Sequence, residues 1–184
     1  MRTITLVKQL MNYRPATYTD HQNIAQLHAR SWQENYRGIW SDEYLNQHVS
    51  QGRLTVWQNR LQHPPENQHI IVSEDDGLLC GFTCVYANDD PVWGALIDNL
   101  HVVAEKKGHG IGKQLMKEAA KWIHSQKPDS HFYLWVFEKN HPARHFYDAV
   151  GGQPQAPELH VNSDGSQSMV IRYVWQNARL FFRE

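Results

Sequence analysis

The chain has 184 residues, 41% of them apolar, and a formal net charge of −1. That length suits one domain with its own core, and the near-zero charge excludes a basic field for nucleic acid or a polybasic membrane patch. No apolar run approaches the roughly 18 residues a bilayer-spanning helix needs, and Met1-Arg2-Thr3-Ile4-Thr5-Leu6 lacks a signal-peptide core and cleavage site, so the expected setting is cytoplasmic with no membrane partner.

In chain order, residues 1–11 read as an extension, with Met11 a second candidate start, ahead of a single domain over 12–184. A first strand is expected near 12–17. A helix follows over about 20–34 with Asp20 as its cap. Gly38 marks a turn, and a second helix runs from about Ser41-Asp42-Glu43 to Leu61, where Pro64-Pro65 ends it. Ile70-Ile71-Val72-Ser73 reads as a strand, Asp75-Asp76-Gly77 as a hairpin turn, and Gly81 to Tyr86 as the next strand. Strand alternation puts Cys80 and Cys84 on one face, as reduced core thiols rather than a disulfide. Asn88 to Pro91 is expected as a loop and 95–103 as a fourth strand.

Next comes Lys107-Gly108-His109-Gly110-Ile111-Gly112-Lys113, between that strand and a helix over about 110–125. On the helix Ile111, Leu115, Ala119 and Ile123 fall inside, with Lys113, Lys117 and Lys121 outside. A strand, a glycine loop and a helix N-terminus in that order build an anion site, because glycines admit close backbone approach and unpaired N–H groups point outward. A Walker loop fails here: three residues separate Gly108 from Gly112-Lys113, and Gln114 follows instead of a hydroxyl. A dinucleotide fingerprint fails too, because Gly108, Gly110 and Gly112 alternate. His131 to Phe137 reads as a strand. Then Pro142 suits a first helical turn, Gly151 a C-terminal cap, and Ala143, Phe146, Tyr147 and Val150 share one helix face. Closing strands are expected near 155–161 and 168–176.

With these segments the chain resembles the GNAT superfamily of acetyl-CoA-dependent N-acetyltransferases, over roughly residues 12 to 176. Lys107-Gly108-His109-Gly110-Ile111-Gly112 takes the place of the family's Arg/Gln-x-x-Gly-x-Gly/Ala loop. Asn140, Ala143, Phe146, Tyr147 and Gly151 match its Asn-x-x-Ala-x-x-Phe-Tyr-x-x-x-Gly signature. Lys107 stands where Arg or Gln is usual; it keeps the charge but lacks the planar fork. The resemblance implies an α+β fold, a mixed and mostly antiparallel sheet of six to seven strands with about four helices on both faces. It implies acetyl-CoA as co-substrate, with its pyrophosphate on the loop from Lys107 to Lys113. The backbone of Leu100 and Val102 and the side chain of Asn140 would take the pantetheine arm and acetyl oxygen. Tyr147 would be the acid to the CoA thiolate. Homodimers are frequent in the family.

Acetyl transfer to an amine needs a deprotonated nucleophile, N–H donors for the developing oxyanion and a proton for the leaving thiolate. Two candidates serve as base, Asp98 through a pKa raised by burial and His101 through its native range. Each also has a plainer reading, as a strand-surface acid and a sheet-face histidine. Tyr147 could equally be a core aromatic and Asn140 a helix cap. The acceptor pocket is expected between the first two helices and the 152–168 region. Trp32, Tyr36, Trp40, Asp42, Glu43 and Tyr44 cluster there in sequence, and aromatics with carboxylates suit a cationic small-molecule amine, though the same residues could simply staple two helices. The 12 histidines show no metal-ligand spacing with the cysteines, so no metal is expected. A protein acceptor, at an N-terminus or a lysine, is the second expectation, and a CoA-binding module without turnover the third.

Overall fold

The computed structural model describes residues 11–182. Eight strands form one sheet: β1 (Asn12–Pro15), β2 (Gln68–Asp75), β3 (Leu78–Asp90), β4 (Gly94–Val102), β5 (Phe132–Phe137), β6 (Gln153–Pro154), β7 (Glu158–Val161) and β8 (Gln167–Trp175). Their order is β1-β2-β3-β4-β5-β8-β6, with β7 also on β8. Only β4 and β5 run parallel. Among the described residues the α-helices are α1 (His21–Asn35), α2 (Val49–Gln62), α3 (Ile111–Gln126) and α4 (His141–Ala149). The expected α+β class is present.

The helices lie where their apolar stripes demand. Ile24 and Leu27 of α1 and Trp57 of α2 bury against Ile70, Val72, Phe82 and Cys84 on one sheet face. On α3, Ile111, Leu115, Ala119 and Ile123 are buried as their spacing predicts, joined by Met116 and Ala120. Met116, Ala119, Ala120 and Ile123 of that stripe share one core cluster with Val85 of β3, Ala95 and Ile97 of β4, and Phe132, Leu134 and Val136 of β5. Full burial of side chains of this size stabilises by about 1.5–3 kcal/mol each, so the sheet is held rigidly from both faces.

Several local expectations are corrected. The sheet has eight strands rather than six or seven, because the closing segment divides. After β6 the Gln155 N–H still donates to the Arg172 carbonyl at 2.8 Å, but Pro157 cannot donate to a ladder, and pairing resumes over Glu158–Val161. β3 continues through Asn88 to Asp90, where a loop was expected; the turn falls at 91–93, with the Asp90 carboxylate accepting from the Val92 and Trp93 N–H groups at 2.7 and 2.9 Å. Asp20 does not cap α1. Its carboxylate turns back to accept from the Thr17 N–H at 2.7 Å and from the Arg14 guanidinium at 2.8 and 2.9 Å. The second helix opens with a wide π-helical turn over Tyr44–His48 before α2 proper. Cys80 and Cys84 face opposite ways. Ser73 pairs with Gly81 and Glu74 with Leu79, so Cys80 is an inserted residue in a β-bulge. It packs beside Ile111 and Leu115 of α3, while Cys84 packs under α1 and α2. Both are free thiols. Residues 1–10 of the expected extension lie outside the described residues, and Met11 packs against the cluster of Ile71, Cys80, Ile111 and Leu115.

Candidate active site

The site begins where two strands part. β4 and β5 pair only at Ala95 with Phe132 and Leu96 with Tyr133. Beyond that, β4 runs to Val102 and β5 to Phe137 without pairing, and the edge of β4 from Ile97 onward has no β5 partner. A second bulge accompanies the parting: Val85 pairs with Ile97 and Cys84 with Asn99, so Asp98 is inserted. Bulges bend a strand and re-aim its side chains. After this one, Leu100 and Val102 turn toward α3, and His101 turns toward α1. The resulting cleft holds about 540 Å³.

One end of the cleft is the glycine loop. Gly108 and Gly110 have φ of +80° and +82°, which L side chains rarely adopt, and a Cβ on either would meet no described atom within 4 Å. These glycines are therefore demanded by backbone conformation and leave open space beside the loop. Gly112 has a different reason: its Cβ would come 3.3 Å from the Phe146 ring, so it sets the α3–α4 approach. Gly110 sits at the start of α3, where the first N–H groups lack intrahelical partners. Lys107 and Lys113 flank this end. Lys107 Nζ reaches Asn35 Oδ1 at 3.5 Å. His109 turns back: its Nδ1 lies 3.3 and 3.0 Å from the Lys106 and Lys107 carbonyl oxygens, so it donates there and does not line the cleft.

The same cleft is lined by Leu100, Val102, His101, Ser31, Tyr36, Asn140 and Tyr147. Asn140 caps α4, accepting from the Ala143 N–H at 3.3 Å, with Pro142 in the first turn. That cap sets the helix phase that brings Tyr147 to the cleft, backed by Tyr173 and Trp175. Burial, and then the neighbouring Tyr36 phenol, push the Tyr147 hydroxyl above its ordinary range, so it stays protonated. Burial pushes Tyr36 up to about 12. His101 Nδ1 lies 2.8 Å from Ser31 Oγ, and its ring centroid is 4.5 Å from that of His28. Burial, then Lys107 and Arg53, push its pKa down to about 3, so it is neutral at physiological pH. His28 is buried and neutral as well, its Nδ1 accepting from Trp57 Nε1 at 2.9 Å.

Other expected residues stand elsewhere. Asp98 does not line the cleft; Arg60 of α2 donates to its carboxylate at 2.6 Å. Asp42 is exposed and paired with Arg37 at 2.8 Å. Trp32 sits behind the lining, its ring 5.4 Å from Tyr36 and 4.9 Å from Trp40. The charge on that cluster is a cation, not the expected carboxylates: Arg53 of α2 lies over the Trp32 ring at 4.4 Å. Ser31, Asn35, Arg53 and Arg60 went unread in the sequence. His28, Ser31, Trp32 and Asn35 follow helical spacing, a signal that marks α1's inward face. Nothing local signals the two arginines, whose direction depends on how α2 packs. Ser41 N–H donates to Asp164 at 3.0 Å, so the segment between α1 and α2 does meet the 152–168 region.

Among the described residues, no group of three or more His, Cys, Asp or Glu side chains could hold a metal ion, and no helix is long and apolar enough to cross a membrane. Residues 22–151 match the Acetyltransferase (GNAT) family. The chain is 30% identical over 139 residues to the probable N-acetyltransferase Rv2775 of Mycobacterium tuberculosis, spanning 73% of this chain and 75% of that protein. Its fold matches the crystal structure of PaiA N-acetyltransferase from Thermoplasma acidophilum in complex with coenzyme A, with a TM-score of 0.68 and 20% identity over 90% of this chain and 99% of that one. It also matches YncA of Salmonella typhimurium, a structure with acetyl-CoA, at a TM-score of 0.66 and 16% identity over 91% and 94% of the two chains.

Proposed function

Because the chain belongs to the GNAT family of acetyltransferases, we propose that it moves an acetyl group from acetyl-CoA to a primary amine by direct attack. The observation that carries this reading is that a glycine loop at a helix start and Tyr147 line one and the same cleft.

The chemistry follows from the residues. The loop N–H groups from Gly108 to Lys113, with the Lys107 and Lys113 charges, suit a pyrophosphate. The free edge of β4 at Leu100 and Val102 offers backbone groups that β5 would otherwise take, and these suit the amides of a pantetheine arm. A β4 N–H would meet the thioester oxygen as charge builds on it. The amine nitrogen attacks the acetyl carbon, the C–N bond forms and the C–S bond breaks. Tyr147 gives its proton to the sulfur. The nitrogen loses one proton, which balances the one Tyr147 regains through solvent.

His101 serves as the base in preference to Asp98, since it lines the cleft and Asp98 is bound to Arg60. With a pKa of about 3 it cannot strip a free ammonium, whose pKa is about 10. It can accept the proton as the C–S bond breaks, when the nitrogen takes on amide character and becomes a stronger acid than protonated His101. The amine must therefore enter neutral.

CoA release from acetyl-CoA across amino acids, polyamines, amino sugars, aminoglycosides and short peptides with free N-termini tests the reading. Acetylated product with stoichiometric CoA supports it and names the acceptor class. Acetyl-CoA binding without transfer to any small amine, or to protein lysines and N-termini, would leave a binding module instead.

A further inference from the structure

Two arginines lie seven residues apart on the inner face of α2, and only one has a carboxylate. Arg60 donates to Asp98 at 2.6 Å. Arg53 forms no ion pair within the described residues. Its Nε is shut off from solvent and has no hydrogen-bond partner. Its guanidinium lies over the Trp32 ring at 4.4 Å, and burial holds its pKa down. A partly buried guanidinium without a paired anion is costly to keep; Tyr44 and the charge of Asp98 offset that cost only in part, since burial outweighs them, and Asp98 is itself paired with Arg60 and Asp42 with Arg37.

Its position ties it to the cleft. Trp32 touches Tyr36 at 5.4 Å between centroids and His28 at 5.3 Å, and His28 touches His101 at 4.5 Å. Tyr36 and His101 line the cleft. Arg53 is thus partly exposed and stands one ring from the cleft lining on the α1 side. An acceptor amine bearing only positive charge would be repelled there.

Building on acetyl transfer in this cleft, we propose that the acceptor carries an oxyanion, a carboxylate or a phosphate, as well as its amine, and that Arg53 binds it. A fork of N–H donors, planar and always charged, suits either group. Anchoring the anion on α2 would leave the amine free to reach the thioester.

Matched acceptors separate the possibilities: L-amino acids against their carboxamides, and O-phosphoethanolamine against ethanolamine. In each informative pair the anionic member should have a kcat/KM higher by at least about tenfold, the size of one charge-assisted hydrogen bond. Arg53→Gln should shrink that ratio to about twofold or less, mainly through KM, and Arg53→Lys should restore part of it. The carboxylate and phosphate arms tell the two sources apart. In parallel, the isotope-edited Arg53 Nε–H signal, assigned by its loss in Arg53→Gln, is followed in the CoA-loaded protein. It should shift saturably with the anionic members only. Equal rates within pairs, a preference that survives Arg53→Gln, or no anion-dependent Arg53 shift would each overturn the proposal. Transfer without anion preference sinks this inference alone; absence of any transfer, with Arg53 still responding to anions, sinks the acetyl-transfer reading instead.

Discussion

At the residue scale, the contrast between His101 and Asp98 decides how the proton moves. Both lie on β4, but the bulge at Asp98 sends the carboxylate to Arg60 and the imidazole to the cleft. With a pKa of about 3, His101 is already neutral at pH 5. The kcat/KM for a simple amine should therefore rise with pH toward the amine's own pKa, with no inflection near 6.5. A pH–rate profile of wild type and His101→Ala checks this. An inflection between 6 and 7 that vanishes in the variant would show that His101 titrates in its ordinary range. Tyr147, Asn140 and the loop glycines were legible from sequence because their spacing is local, within one turn or one helix. Asp98 and Arg53 were not, since a one-residue bulge and the rotation of α2 decide where they point, and neither leaves a periodic trace; Asp42 lies ahead of α2, drawn to Arg37.

At the element scale, the glycine loop, the α3 start and the α4 cap act as one unit. Gly108 and Gly110 hold left-handed backbone, and Gly112 lets α4 approach through Phe146. A side chain at Gly110 strains the backbone by about 1–2 kcal/mol and projects into the space the loop leaves open. Gly110→Val should therefore raise the Kd for CoA at least about tenfold while the protein stays folded. Calorimetric titration checks it, and unchanged affinity would move the phosphate site elsewhere. Elements with strong periodicity, such as α3 and β5, were readable in full. The strand that Pro157 interrupts and the bulge that flips Cys80 were not, because both reflect pairing with distant strands rather than local preference.

For the whole molecule, the polar inner face of α1 joins the site to the core, and so to stability. His28 is buried beneath the cleft with its pKa pushed well below the ordinary value by burial and then by His101 and two arginines. His101 and His69 shift the same way. An unfolded histidine binds a proton below about 6.5. Between that value and the lower folded pKa the unfolded state holds more protons, so stability falls as pH falls. Each pH unit below 6.5 costs up to about 1.4 kcal/mol for a histidine as buried as His28. The Tm should drop from pH 7 to pH 5, and His28→Leu should flatten that slope while lowering Tm at pH 7 through loss of the Trp57 hydrogen bond. A Tm independent of pH over this range would mean that His28 takes up its proton in the fold as readily as in the unfolded chain.

The most direct test of acetyl transfer in this cleft is Tyr147→Phe. Burial keeps the Tyr147 hydroxyl protonated, and the ring packs against Tyr173 and Trp175 whether or not the oxygen is present. The variant should bind acetyl-CoA with unchanged Kd and lose about a hundredfold in kcat for CoA release with the identified acceptor, the size of one general-acid contribution. Wild-type kcat in the folded variant would contradict the role of Tyr147 and leave the leaving thiolate to solvent or another donor.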